Sequence, residues 1–409
     1  VRRRKVAIPI AVSIAIVAAG WWIERHRVQP TPAPAVWSQD AYVWQRDWSA
    51  AVRESVRSQG PEFRSLFVLA GEISWPTPEG RVTEIRPDYR AAARDGAVGI
   101  AVRIGPLPRS TRPGPAQERL IVDTATRASA AAGAAGVTVS EIHLDCDCAE
   151  SKLADYTGWV NAVKTAAAPV PVVITALPAW LKSPVFPALA RAAGGFVIQV
   201  HSLHQPTGPD DPMSICNAAE ARRAVESASH IGVPFRIALP TYGYTVAFKP
   251  DRTFLALSAE GPSPGWPPGT ILREMRSDPA EIAALVRDWT AAPPPNCAGI
   301  IWYRLPVAGD RMNWPPATLR AGPGRHPAVP LPVRRRRPRL GGGRADARRL
   351  GGPGEVPVRS RVLDEGQGPE GGRQILQSVG PPVPVDRPGS AGGEAALVPA
   401  GAGRKMNHR

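Results

Sequence analysis

Two aspartates, Asp145 and Asp147, stand two residues apart at the end of the apolar run Val139–Asp145. A strand repeats every two residues, so both carboxyls would share one face. Like charges that close repel unless one is protonated or partnered. A protonated acid beside a carboxylate is what glycosidic cleavage needs, one on each side of the bond. Similar residues recur at the ends of other apolar runs: Tyr42 and Trp44, Glu72, Gln199 and His201, Tyr242 and Tyr244, Trp302 and Arg304. Aromatic rings offer sugars a flat apolar surface with a polar edge. The candidate catalytic residues are therefore Asp145, Asp147 and Glu72. The candidate substrate-binding residues are Trp44, Gln199, His201, Tyr242, Trp302 and Arg304. Structural roles compete with these. Either aspartate could cap the next helix or pair with Arg304, and Trp302 could plug the interior of a barrel.

The elements that must position these residues alternate. Apolar runs bounded by turn residues fall at 40–44, 65–72, 97–104, 139–145, 170–176, 196–201, 235–240 and 299–304. Helical patterns lie between them, the best at 46–58, 117–135, 152–166, 218–230 and 279–291. Ser151 and Asp278 are plausible N-caps, the second followed by Pro279. Eight strands with intervening helices predict an α/β fold, a single (β/α)8 TIM-like barrel over 37–321. An open doubly wound sheet would favour a Gly-rich turn after an early strand, and the first run ends in Trp44-Gln45-Arg46 instead. In a barrel, chemistry sits at the C-terminal ends of the strands, where the residues above fall. There is no G-x-S-x-G elbow and no P-loop. His201 and His204 lack a third ligand at a recognisable spacing, so no metal or other cofactor is expected.

The chain has 409 residues and a formal net charge of +15. Residues 36–322 carry 28 basic and 27 acidic groups, so the excess sits at the ends. No Lys/Arg stripe with interleaved aromatics runs through this body, which argues against a nucleic-acid partner. At the N-terminus, Arg2-Arg3-Arg4-Lys5 precedes an uncharged run of 18 residues, Val6 to Ile23. Residues 1–27 are read as a signal anchor, with a cleaved signal peptide as the alternative. Either exports the body. It would be held at the inner membrane facing the periplasm, or released as a periplasmic or extracellular protein. Residues 28–36 form a Pro-rich spacer. Residues 322–409 are rich in Arg, Gly and Pro and have no aromatic residue, which predicts a disordered tail. The abrupt change of composition also fits an out-of-frame tail. Four cysteines, Cys146, Cys148, Cys216 and Cys297, remain. Cys148 and Cys216 both follow strands at the same end of the barrel, so a Cys148–Cys216 disulfide is expected.

The body resembles the bacterial domain of unknown function 3142 family. The resemblance is carried by DAYVWQRDW (40–48), EIHLDCDCAESKLADYTGWV (141–160), ITALPAWL (174–181), IALPTYGY (237–244) and GIIWYRLP (299–306). It covers about residues 36–320 and implies the barrel fold and export. More distantly, the pattern is similar to family 18 glycoside hydrolases, whose fourth strand carries D-x-x-D-x-D-x-E ending in the general acid. The second and third acids of that motif fall on Asp145 and Asp147, but the first falls on Ile142 and the Glu on Ala149, with Glu150 one place late. A one-residue slip turns a side chain toward the other face. The resemblance therefore implies the cleft, with Tyr242 and Trp302 matching that architecture, without carrying over the family's acid. Two readings stay open: a glycoside hydrolase acting on a polysaccharide or glycoconjugate, or a non-catalytic barrel that binds glycan or an envelope partner.

Overall fold

A computed structural model describes residues 38–107, 113–258 and 265–320. The expected anchor at 1–27, spacer at 28–36 and tail at 322–409 lie outside the described residues. The strands are β1 (Ser38–Val43), β2 (Leu66–Ser74), β3 (Arg81–Glu84), β4 (Ala97–Ile104), β5 (Thr138–Cys146), β6 (Val172–Ala176), β7 (Phe196–Gln199), β8 (Phe235–Pro240), β9 (Gly243–Phe248), β10 (Phe254–Ser258), β11 (Ile271–Arg276) and β12 (Cys297–Tyr303). The helices are α1 (Ala50–Gln59), α2 (Tyr89–Ala92), α3 (Pro115–Ala134), α4 (Leu153–Ala166), α5 (Phe186–Ala193), α6 (Ala218–Ser229), α7 (Pro279–Ala291) and α8 (Pro316–Arg320).

Eight parallel strands run β1-β12-β8-β7-β6-β5-β4-β2, and β1 also pairs with β2, closing the sheet into the expected barrel. Asp278 caps α7 as expected, accepting from the Ala280 and Glu281 amides with Pro279 in the first turn. Ser151 does not cap α4; it sits inside a short 3-10 turn, Glu150–Lys152. Two features were not foreseen. The antiparallel strand β3 extends the barrel edge at β2. A separate three-stranded sheet, β10-β9-β11, is inserted between β8 and α7 and packs its own apolar cluster around Tyr244, Val246, Phe248 and Met275. Among the described residues, no helix is long and apolar enough to cross a membrane.

The pleat sorts side chains into two cores. Outward residues such as Ile100, Val102, Ile142, Leu144, Ile174 and Trp302 pack under the helices. Inward residues, including Tyr42, Trp44, Phe67, Leu69, Ala101, Val173, Val197, Ala238 and Ile301, fill the barrel. Gly99 makes room at the centre: a Cβ there would collide with the Phe67 ring. That ring stacks on His143, with centroids 4.0 Å apart.

The lower barrel holds a buried ionic cluster. Arg236 donates to Asp40 at 3.1 Å and is paired with Glu141. Arg64 reaches Asp40 from outside at 3.0 Å. His143 Nε2 lies 3.1 Å from Glu141 Oε2, and its Nδ1 lies 2.7 Å from the Tyr42 hydroxyl. With Nε2 donating to the carboxylate, Nδ1 accepts from Tyr42. Although burial opposes ionisation of Glu141, His143 and Arg236 outweigh it and hold the carboxyl down at about 2.

Candidate active site

The upper barrel opens into a narrow cleft with about 40 Å3 of space open to water. Asp145, Asp147, Arg103, Thr175, Gln199 and His201 line it together with the rings of Tyr42, Trp44, Tyr242, Tyr244 and Tyr303. A larger hollow of about 520 Å3 lies at the other end of the strands, around Ser129, Thr138 and Pro169. It has no titratable side chain in its lining and offers no chemistry.

β5 delivers the aspartates. Glu141, His143 and Asp145 alternate inward along it. Asp147 follows at the centre of a tight turn, closed by the Cys148 amide donating to the Cys146 carbonyl at 2.9 Å. Asp145 is held by two neighbouring strands. Thr175 donates to its Oδ1 at 2.7 Å and Gln199 at 3.3 Å. Asp147 Oδ1 is buried with no hydrogen-bond partner. Burial raises both carboxyls, and the Asp145 charge adds to the effect on Asp147, pushing it up to about 7. Arg103 opposes the rise in both. Asp145 with its donors is thus the better-stabilised carboxylate, and Asp147 keeps a proton near neutral pH.

Two more buried polar atoms without a partner belong to cleft-lining residues, Trp44 Nε1 and His201 Nε2. Burial holds His201 down to about 3, so its ring is neutral. Its Nδ1 lies 3.2 Å from the Tyr242 hydroxyl, which also meets Ser202 Oγ at 2.5 Å and the Tyr244 hydroxyl at 3.2 Å. With Tyr242 donating to Nδ1, Nε2 carries a proton available to a ligand. Buried polar atoms ordinarily find partners, and leaving one unmet costs about 1–3 kcal/mol.

The cleft gathers Asp145, Asp147, Trp44, Gln199, His201 and Tyr242 as expected. Three expected site residues lie elsewhere. Trp302 is fully buried on the outer face of β12, packs on Trp314 and donates to Gln39 at 3.2 Å. The neighbouring inward position belongs to Tyr303, so the ring that faces the cleft comes one residue later. Arg304 is buried and paired with Asp310, its guanidinium 5.9 Å from the centre of the Tyr242 ring. It braces the segment after β12 and does not line the cleft. Glu72 does not line the cleft either, and both its oxygens are taken, by Arg46 and by Arg103 at 3.4 Å. Glu150 is exposed on its 3-10 turn. All four cysteines are free thiols, so the expected Cys148–Cys216 bridge is not formed. Cys148 is drawn toward Cys146 by the Asp147 turn.

The unforeseen members are Arg103, Thr175, Ser202 and Tyr303. Arg103 and Thr175 were findable: each is the single hydrophilic side chain in an otherwise apolar strand, AVGIAVRI and VVITA. The contrast between Tyr303 and Trp302 gives a test. Tyr303→Ala should weaken binding of a ring-bearing ligand in this cleft by about 0.5–1.5 kcal/mol, the worth of a ring contact. Trp302→Phe should leave affinity unchanged and lower only thermal stability. Calorimetric titration of both proteins reads the difference.

The raised Asp147 also has a stability consequence. Between its ordinary 3.8 and about 7, the folded chain binds more protons than the unfolded chain. Stability must therefore fall as pH rises through that window. Asp147→Asn should remove this slope and be more stable than the parent at pH 8, by about 1–2 kcal/mol once solvent screening of the half-buried side chain is allowed for. Denaturant titrations of both proteins at pH 5 and pH 8 test it.

In comparison with known proteins, the pattern of a domain of unknown function, DUF3142, matches residues 107–308. No curated protein matches the chain. Among solved structures, the spore cortex-lytic enzyme SleL of Bacillus megaterium QM B1551 is similar at 12% identity, over 70% of this chain and 73% of that chain, with a TM-score of 0.48. The GH18 chitinase ChiB of Flavobacterium johnsoniae is similar at 12% identity, over 66% of this chain and 88% of that chain, with a TM-score of 0.42. The beta-mannanase of Streptomyces thermolilacinus is similar at 12% identity, over 68% and 81%, with a TM-score of 0.39.

Proposed function

We propose that the barrel, whose residues 107–308 match the DUF3142 pattern, is a glycoside hydrolase acting on a polysaccharide or glycoconjugate. One observation carries the reading. Two inward aspartates share the cleft, one hydrogen-bonded as a carboxylate and the other holding its proton to about 7. In this mechanism Asp147 protonates the leaving glycosidic oxygen. Asp145 remains ionised, offsets the positive charge that develops on the sugar ring and takes the proton of the water that bonds to the anomeric carbon as the glycosidic bond breaks. Trp44 and Tyr303, T-shaped with centroids 5.1 Å apart, form one wall for the ring to pack on. Trp44 Nε1 and His201 Nε2 donate to its oxygens.

Supporting the export reading are the basic residues 2–5 and the uncharged run that follows them, which would place the barrel beyond the cytoplasmic membrane. The test is release of reducing ends from a panel of bacterial and plant polysaccharides. Hydrolysis of at least one, with an optimum below pH 7, is the expected result. A second reading, a barrel that binds glycan without cleaving it, is favoured by one observation: Glu150, the carboxylate nearest in sequence to the general acid of the family 18 motif, is exposed and does not line the cleft. Binding without cleavage at any pH would establish it and reject the hydrolase.

A further inference from the structure

We propose that Glu72 and Arg103 are positioning residues, parts of a ladder of alternating charge that runs across neighbouring strands and sets how tightly the aspartate pair holds its proton. The inference rests on the hydrolase reading only in giving that proton a use.

The ladder is a matter of register. Glu72 stands opposite Arg103 in the β2–β4 pairing, and Arg103 opposite Asp145 in the β4–β5 pairing. Strands in a sheet lie about 4.8 Å apart, so each charge faces its opposite one strand away. Arg46, just after β1, reaches the far side of Glu72. The sequence of charge is therefore plus, minus, plus, minus from Arg46 to Asp145. A register shift between Leu69 and Gly71 is what makes this possible. Leu69 points inward, so without the extra residue Glu72 would face the helices. A bulge that re-aims one charged side chain into line with Arg103 and Asp145 is a device of the site.

Glu72 cannot serve as the acid, because both its oxygens are engaged and Arg103 stands between it and the dyad. What it can do is share Arg103. With Glu72 charged, the guanidinium is divided between one carboxylate and the dyad, and the aspartates keep a proton. With Glu72 neutral, a larger share of the Arg103 charge acts on the aspartates and the proton leaves more easily. With Arg103 neutral, the repulsion between Asp145 and Asp147 loses its cationic counterweight, and the proton is held more tightly. The two substitutions must therefore move the dyad in opposite directions. The other titratable groups around the dyad are Tyr42 from β1, His201 after β7, Tyr242 and Tyr244 after β8, Tyr303 from β12, and the Cys146 and Cys148 thiols flanking Asp147. They are phenols, a neutral imidazole and thiols, and neither substitution changes their number.

The experiment follows the carboxyl carbons of labelled aspartate by NMR through a pH titration of the full-length chain. Asp145→Asn and Asp147→Asn assign the two signals. Glu72→Gln should lower the upper midpoint of the dyad by about one unit. Arg103→Gln should raise it by about one unit, and Arg103→Lys, which keeps the charge, should stay nearer the parent. Movement of both neutral variants in the same direction, or of neither, would overturn the proposal. Should Arg103→Gln fail to fold, Glu72→Gln decides: an unmoved or raised midpoint overturns the proposal. No substrate enters this measurement. Opposite shifts in a protein that cleaves nothing would sustain the ladder and reject the hydrolase, and hydrolysis with unmoved midpoints would do the reverse.

Discussion

Asp147→Asn should reduce hydrolysis of any accepted glycan by about 10²–10⁴-fold, the usual worth of a positioned general acid. The carboxamide keeps the size of the side chain but cannot protonate a leaving oxygen. The Asp147 turn is closed by backbone groups of Cys146 and Cys148, so the substitution leaves the fold intact. Affinity for the uncleaved oligosaccharide should stay within a few-fold of the parent, since Trp44, His201 and Tyr303 are untouched. Initial rates and binding isotherms on the same preparation separate the two quantities. Activity that falls only in proportion to the folded fraction would make Asp147 a structural residue. The parent's activity should also decline as pH rises through about 7, because Asp147 loses its proton there.

The second large effect belongs to the floor of the barrel. Arg236 is the shared cation of two acids, Asp40 and Glu141, and is itself buried. Arg236→Met keeps most of the volume and removes the charge. Two acids are then left in the interior with His143 and the outer Arg64 as their remaining partners. Breaking one side of a buried ionic cluster costs about 3–5 kcal/mol. Denaturant unfolding at pH 7 should show a loss of that size. The loss should shrink at low pH, where Glu141, held near 2 by its partners, would no longer need them once protonated. A change below 1 kcal/mol at pH 7 would mean that the cluster adds nothing to stability.

The floor cluster also shows what one sequence can and cannot reveal. Glu141-x-His143-x-Asp145-x-Asp147 is a single period-two pattern, and its inward alternation is legible from residue type alone. Its two halves do different work because Arg236 and Asp40, distant in sequence, close on the first half, and Arg103 on the second. The barrel was legible because its strands are apolar runs spaced as βα units, and 97–104 and 235–240 coincide with observed strands. The inserted sheet was not. Its edge strand β11, ILREMR, is mostly exposed and lacks a continuous apolar run. At β12, the run GIIWYR has no polar alternation before its end, so nothing local fixes its parity. Tyr303 takes the inward place because Ile301 does, and Trp302 is turned into the helix layer. Glu72 entered the interior through a register shift that no sequence pattern announces.

The most direct measurement is a crystal structure of the Asp147→Asn chain with an uncleaved oligosaccharide from the panel. The account predicts a glycosidic oxygen within hydrogen-bond distance of the residue 147 side chain, a sugar ring against Trp44 and Tyr303, and Asp145 still held by Thr175 and Gln199. An oligosaccharide bound away from the β5 end, or with its glycosidic oxygens turned from residue 147, would contradict it.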